Sequence, residues 1–132
     1  AKVAPELESE ARHYRSKALV EANQLTHAVA DWEALAKDTR NVYGAEAKYR
    51  LAQYLFDSGK TKEAEQEVLN YLEVSTPHAY WLARSFVLLS DIYAKLDRKL
   101  EARQYLLSLK QNYQADDDIA GMIESRLENL SE

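Results

Sequence analysis

The sequence contains no cysteine. That removes disulfides, thiolate metal ligands and cysteine nucleophiles together, and it leaves the compartment open. Three glycines and two prolines in 132 residues leave little material for tight-turned strands or flexible linkers. No apolar run is long enough to span a bilayer, so direct membrane insertion is not expected. Basic residues are outnumbered, 17 against 22 acidic ones. The resulting net charge of −5 argues against nucleic acid as a partner, since a general nucleic-acid binder carries a basic stripe. Phosphate-cradling glycine loops and the Gly-x-Ser-x-Gly nucleophile turn are absent. The composition that remains, 46% hydrophobic and 30% charged, suits a globular chain of one domain, residues 1–132. The chain opens Ala1-Lys2-Val3 rather than with methionine, which reads as a processed or trimmed piece of a longer chain.

The most ordered pattern lies between Ala45 and Glu73. Leu51, Ala52 and Leu55 make one apolar stripe at helical spacing, and Ala64, Val68, Tyr71 and Leu72 make another. Gly59 stands between them, where a helix end needs a left-handed residue without a Cβ penalty. This predicts a helical hairpin that cannot bury both stripes alone.

The pattern recurs on both sides. From Ala28 to Ala64 is 36 residues, and from Ala64 to Ala102 is 38. Five further columns keep the same steps: Trp32, Val68 and Leu106; Leu35, Tyr71 and Leu109; Ser16, Ala52 and Ser90; Leu19, Leu55 and Tyr93; and the turn residues Asn23, Gly59 and Asp97. Self-similarity at this period is the signature of a solenoid.

These columns resemble the tetratricopeptide repeat (TPR) family over nearly the whole chain. The middle unit carries the likeness best, with Leu51-Ala52, Leu55-Phe56, Gly59 and Ala64. The third follows with Phe86, Leu89-Ser90, Tyr93, Ala102 and Leu106. The first departs, because Arg15 stands where Leu51 and Leu89 stand later, and the proline that usually closes each repeat is displaced to Pro77 or missing. The resemblance implies an all-α fold, a right-handed α-α superhelix of three hairpins at about 3–38, 43–74 and 77–113 with a capping helix at about 117–130. The long, tyrosine-rich hairpins are similar in style to bacterial envelope TPR modules.

Taken in order, Val3 to Ala22 predicts a first helix burying Leu7, Ala11, Tyr14, Ala18 and Ala22. Gln24 to Lys37 predicts its partner, with Asp38 to Gly44 as the connection. Ser75-Thr76-Pro77 predicts a restart with Thr76 as N-cap and Pro77 at the first helical position. The long helix that follows reaches Leu96, and Lys99 to Tyr113 pairs with it. Asp116 to Asp118 precede a last helix whose stripe is Ile119, Ile123, Leu127 and Leu130.

Catalytic or metal chemistry finds little support. His27 and Asp31 are one helical turn apart, but no third ligand accompanies them, and a solvated helix face is the expectation. His78 reads as surface. Glu63, Glu65 and Glu67 alternate with Lys60 and Lys62 as on a solvated face. The aspartate run reads as a cap, since a calcium loop needs more ligands and a glycine at set spacing. The chain is therefore expected to be no enzyme and to need no cofactor or metal.

In TPR proteins the first helices of successive repeats line a concave groove. The resemblance implies a groove column of His13, Lys17 and Val20, then Tyr49, Gln53 and Phe56, then Arg84, Val87 and Asp91. Tyr49 and Phe56 could instead fill space against Val20 and Val87. The chaperone-binding specialisation of the family matches poorly, with His13, Lys17, Arg50, Arg84 and Leu88 at its clamp positions. An acidic or C-terminal peptide remains compatible with Lys17, Arg50 and Arg84, since guanidinium forks suit carboxylates. The expected function is non-enzymatic binding of a protein or peptide. Self-association, or service as a structural segment of a larger repeat protein, is the alternative.

Overall fold

The computed structural model describes residues 5–74 and 76–131. The proposed start at Val3 and the Ser75 part of the restart signal lie outside them. The described residues are all-α, with no strand among them. Seven helices follow in order: α1 (Pro5–Glu21), α2 (Leu25–Leu35), α3 (Val42–Asp57), α4 (Thr61–Glu73), α5 (Ala79–Lys95), α6 (Lys99–Asn112) and α7 (Ile119–Leu130).

Three of the connections are copies of one turn. Asn23, Gly59 and Asp97 have φ of 59°, 82° and 62°, the left-handed region that ends a helix sharply. After each, an amide closes back on the helix just ended: Gln24 N to Leu19 O at 2.8 Å, Lys60 N to Leu55 O at 2.9 Å, Arg98 N to Tyr93 O at 2.8 Å. This six-to-one bond satisfies carbonyls that a helix C-terminus leaves without partners. The next helix starts one residue later, so α1 pairs with α2, α3 with α4, and α5 with α6.

The aligned columns fall inside these pairs. Ala28, Ala64 and Ala102 have no exposed surface. Trp32, Val68, Leu106, Leu35, Tyr71, Leu109, Ser16, Ala52 and Ser90 are buried as well. The apolar core is strung out as three clusters. One gathers Ala28, Trp32, Leu35 and Ala47; the next centres on Tyr49, Val68, Leu88, Leu89 and Ile92; the last holds Ala83, Val87, Leu106, Leu109, Ile119 and Ile123.

Packing is between near neighbours only. The odd-numbered helices α1, α3, α5 and α7 lie side by side in that order. The even-numbered helices each contact the odd ones before and after, while among the described residues their own backbones stay apart; α4 is tied to the head of α6 only at the side-chain level, Arg98 Nη1 lying 3.6 Å from Glu65 Oε2. α7 covers the open side of α5 and α6 with the Ile119 and Ile123 expected for it.

The boundaries and faces differ from expectation in several places. Leu7 and Tyr14 of α1 are 58% and 55% exposed, and Ala11, Ala18 and Ala22 are exposed too. The face that docks carries Ser16 and half-buried Arg12, His13 and Leu19. It docks because Asp31 of α2, 1% exposed, draws in the guanidinium of Arg15, whose Nε donates to Oδ2 at 2.9 Å, with Arg12 Nη1 3.6 Å from Oδ1. The solvated-face reading of His27 and Asp31 thus holds for His27 alone. α3 begins at Val42, capped by the Asn41 side chain accepting from Tyr43 N at 2.8 Å, so Gly44 belongs to the helix and not to the connection. α5 begins at Ala79 rather than Pro77. There Thr76 Oγ1 donates to Thr39 O at 2.8 Å and accepts from His78 N at 3.2 Å, holding the chain in a turn for two more residues. His78 is not simply surface either, since its Nε2 lies 2.8 Å from Arg40 O.

Candidate functional site

One cleft of about 600 Å³ opens across α1 and α3. α1 contributes His13, Ser16, Lys17, Val20 and Glu21, and α3 contributes Glu46, Arg50, Gln53, Tyr54 and Asp57. Leu25 and Trp32 of α2 and Trp81 of α5 complete its apolar part. The two tryptophans are the only ones in the chain, and both line this cleft.

The helical period explains who faces inward. His13, Lys17 and Val20 follow at i, i+4 and i+7 on α1, and Glu46, Arg50, Gln53 and Asp57 at i, i+4, i+7 and i+11 on α3. Two odd-numbered helices lying side by side turn these stripes toward the same space. Trp32 is 7% exposed, with its ring packed in the first core cluster and an edge left to the cleft.

Charges of both signs ring the opening. Lys17 and Arg50 face Glu21, Glu46 and Asp57, with His13 beside them. Arg50 Nε donates to Glu46 Oε2 at 3.3 Å, and the Arg50 guanidinium lies 5.5 Å from the ring centres of both Tyr49 and Trp81. That range permits cation–π attraction. His13 stacks on Tyr43 with ring centres 4.4 Å apart. Burial lowers the His13 pKa below its ordinary value, and Lys17 and Arg50 act in the same direction against the opposing pull of Glu46 and Glu10. His13 is therefore neutral near pH 7.

A hydrogen-bonded relay ties the cleft to α5. Arg84 Nη2 donates to Tyr49 Oη at 2.9 Å, Tyr49 Oη donates to Gln53 Oε1 at 2.9 Å, and Gln53 Nε2 donates to Asp57 Oδ1 at 2.8 Å. The chain of donors sets the Gln53 amide in one orientation before any partner arrives.

Of the residues expected in the groove, His13, Lys17, Val20, Arg50 and Gln53 come together here. The other five stand elsewhere. Tyr49 is 4% exposed, and its buried ring serves the cleft only through its hydroxyl. Phe56 packs against the middle core cluster. Val87 is 2% exposed in the third cluster, so it offers no surface to a partner. Asp91 is held by Arg126 of α7, with Nε 3.2 Å from Oδ1. Arg84 sits beside the cleft, donating to Tyr80 Oη at 3.0 Å and to Tyr49, with no carboxylate in ion-pair range among the described residues. Sequence reasoning missed Trp81, Tyr54 and Glu46 and saw Trp32 only as core. Trp81 carried a signal, since so large a ring outside every repeat column has no place assigned in a hairpin core.

A second depression of about 500 Å³ on α2, α3 and α4 is lined by Lys48 and Glu67, which pair at 2.7 Å, and by Leu51 and Leu55. No group of three or more potential metal-ligating side chains occurs among the described residues. No described helix is long and apolar enough to cross a membrane. Compared with protein-family models, characterised proteins and solved structures, the chain finds no match, so its functional reading rests on its own residues.

Proposed function

We propose that this chain is a non-enzymatic protein-interaction module of TPR type, a right-handed α-α solenoid of three hairpins and a capping helix. It takes a peptide or protein segment in the cleft across α1 and α3. The observation that carries the binding role is the convergence of both tryptophans, Tyr54 and Arg50 on one open depression. Trp, Tyr and Arg are the side chains that dominate binding hot spots, because each offers a large rigid surface with a polar edge. The architecture draws support from the three turns of one pattern, from the row of odd-numbered helices and from even-numbered helices whose backbones stay apart among the described residues. In a solenoid such a row would form the inner curve, and the cleft opens on that row.

The cleft suits an extended segment that sets an apolar side chain against Trp32, Val20 and Tyr54 and a carboxylate against Lys17 and Arg50. Glu21 and Asp57 at the other end suit a basic residue. Intrinsic fluorescence reads occupancy directly, because the chain has no tryptophan away from the cleft. A displayed peptide library is selected on the parent, and the selected peptides are titrated against the parent, Arg50→Glu and Trp81→Ala. Loss of affinity by tenfold or more in both variants, with unchanged circular dichroism, supports the cleft. Full affinity in both removes it.

A structural role in self-association is the second reading, favoured by Leu7 and Tyr14 left exposed on α1.

A further inference from the structure

We infer that the outward face of α1 is an isologous dimer surface, on which a second copy of this chain lays its own α1 antiparallel to the first. The face opposite Ser16 carries Leu7, Ala11, Tyr14 and Ala18, all exposed. Their spacings of four, three and four are those of an a/d seam, the narrow apolar stripe by which two helices pair. A solvated helix has no reason to carry such a stripe, and it stays more than half exposed at Leu7 and Tyr14 even though the Tyr14 ring also lies against His13.

The occupant follows from the pattern itself. Place a two-fold axis between residues 12 and 13 and run the copies antiparallel. Leu7 then meets Ala18 of the other copy, and Ala11 meets Tyr14, so each large side chain faces a small one. The flanks agree with the seam. Glu10 and Lys17 lie along one side of it, and Glu8 and Arg15 along the other. The same axis sets Glu10 against Lys17 of the second copy and Glu8 against Arg15. Parallel pairing would instead set each seam residue against its own image, Leu7 on Leu7 and Tyr14 on Tyr14 with alanine on alanine between them, so the sizes no longer match. A patch that matches itself in size and charge about one axis is what a C2 interface requires.

The ion pairs differ in weight. Among the described residues Glu10 and Lys17 make no ion pair, and Lys17 rests with its ammonium 6.0 Å from the centre of the Tyr14 ring, beside the seam it would flank. Arg15 already holds Asp31, and Glu8 lies 3.4 Å from Arg12 Nη2, so the second pair adds less. A seam of four residues lies below the roughly 1,200 Å² at which stable specific interfaces begin. The dimer is therefore weak and concentration-dependent.

Sedimentation velocity on the whole chain over a wide concentration range is the first measurement. The parent should move from monomer to dimer, and Ala11→Arg should stay monomeric with unchanged circular dichroism. Lys17→Glu should weaken the dimer about tenfold or more, and adding Glu10→Lys to it should restore the parent's behaviour. Because the chain has no cysteine, single cysteines report the direction. Leu7→Cys protein mixed with Ala18→Cys protein should form a disulfide-linked heterodimer under mild oxidation, while Leu7→Cys alone should not link to itself, since bridged Cα atoms must come within about 7 Å. A parent that is monomeric at every concentration overturns the proposal, as does Ala11→Arg dimerising like the parent. Self-linking of Leu7→Cys overturns the antiparallel arrangement.

Discussion

At the scale of single residues, one pair of positions is filled three ways. Arg12 and Asp31 bridge α1 to α2, with Nη1 3.6 Å from Oδ1. The same places in the second hairpin hold Lys48 and Glu67 at 2.7 Å, and in the third Phe86 and Tyr105, whose ring centres are 6.0 Å apart. An ion pair and an aromatic pair thus do the same joining work, and the choice changes what a deletion costs. Asp31 is buried and shared between Arg12 and Arg15. Removing either arginine leaves the other, and each single alanine variant should lose little. Arg12→Ala with Arg15→Ala leaves a buried carboxylate unpaired, and the loss should exceed the sum of the singles and approach about 3–5 kcal/mol. Urea melts of the parent, both singles and the double complete the cycle.

His13 gives a pH dependence with a definite sign. Its pKa is lowered on folding, chiefly by burial, so the unfolded chain binds the proton more readily. The contribution of His13 to stability is complete above the unfolded value of about 6.5 and is lost as pH falls through the depressed folded value. Acidification from about pH 7 to about pH 5 should destabilise the parent more than His13→Gln. Chemical denaturation across that range compares the two slopes.

At the scale of elements, two glycines show how much context decides. Gly44 lies in the first turn of α3, where an added Cβ would stand 1.9 Å from Asp38 O and 2.6 Å from Leu35 O. Both are backbone atoms, so Gly44→Ala must push the α2–α3 connection away. The cost should lie at or above the top of the roughly 1–3 kcal/mol of ordinary overpacking. Gly121 lies inside α7 with open space around its would-be Cβ. Gly121→Ala should stabilise by about 0.5–1 kcal/mol, because it removes only unfolded-state freedom. Thermal melts should move in opposite directions. The hairpin turns were legible because their chemistry is local: Asn23, Gly59 and Asp97 are residue types that adopt positive φ, and all three do. The start of α5 was not legible, because it depends on Thr39, 37 residues upstream of Thr76.

At the scale of the whole molecule, near-neighbour packing means that damage should stay local. α7 supplies Ile119 and Ile123 to the third cluster and Arg126 to Asp91. Ending the chain after Asp118 uncovers Ala83, Val87, Leu106 and Leu109, and the loss of the two isoleucines alone is about 1.5–3 kcal/mol each. The truncated chain should bind a hydrophobic dye and lose amide protection in α5 and α6, while α1 and α2 exchange as in the parent. Hydrogen exchange resolved by segment checks this. Uniform loss of protection would show one cooperative core in place of a string of three.

The order of the helices, the three turns and the buried columns were determined by the sequence alone, since they rest on helical period, side-chain size and turn chemistry within about forty residues. The tertiary structure alone decided which face of α1 docks and what the cleft contains. α1 offers two stripes, the more apolar one running through Leu7 and Tyr14, and a buried carboxylate on another helix outweighs that hydrophobic advantage. The cleft gathers His13, Trp32, Arg50 and Trp81 from four helices, and the packing of odd-numbered helices brings them together. No spacing within one helix encodes a distance between two.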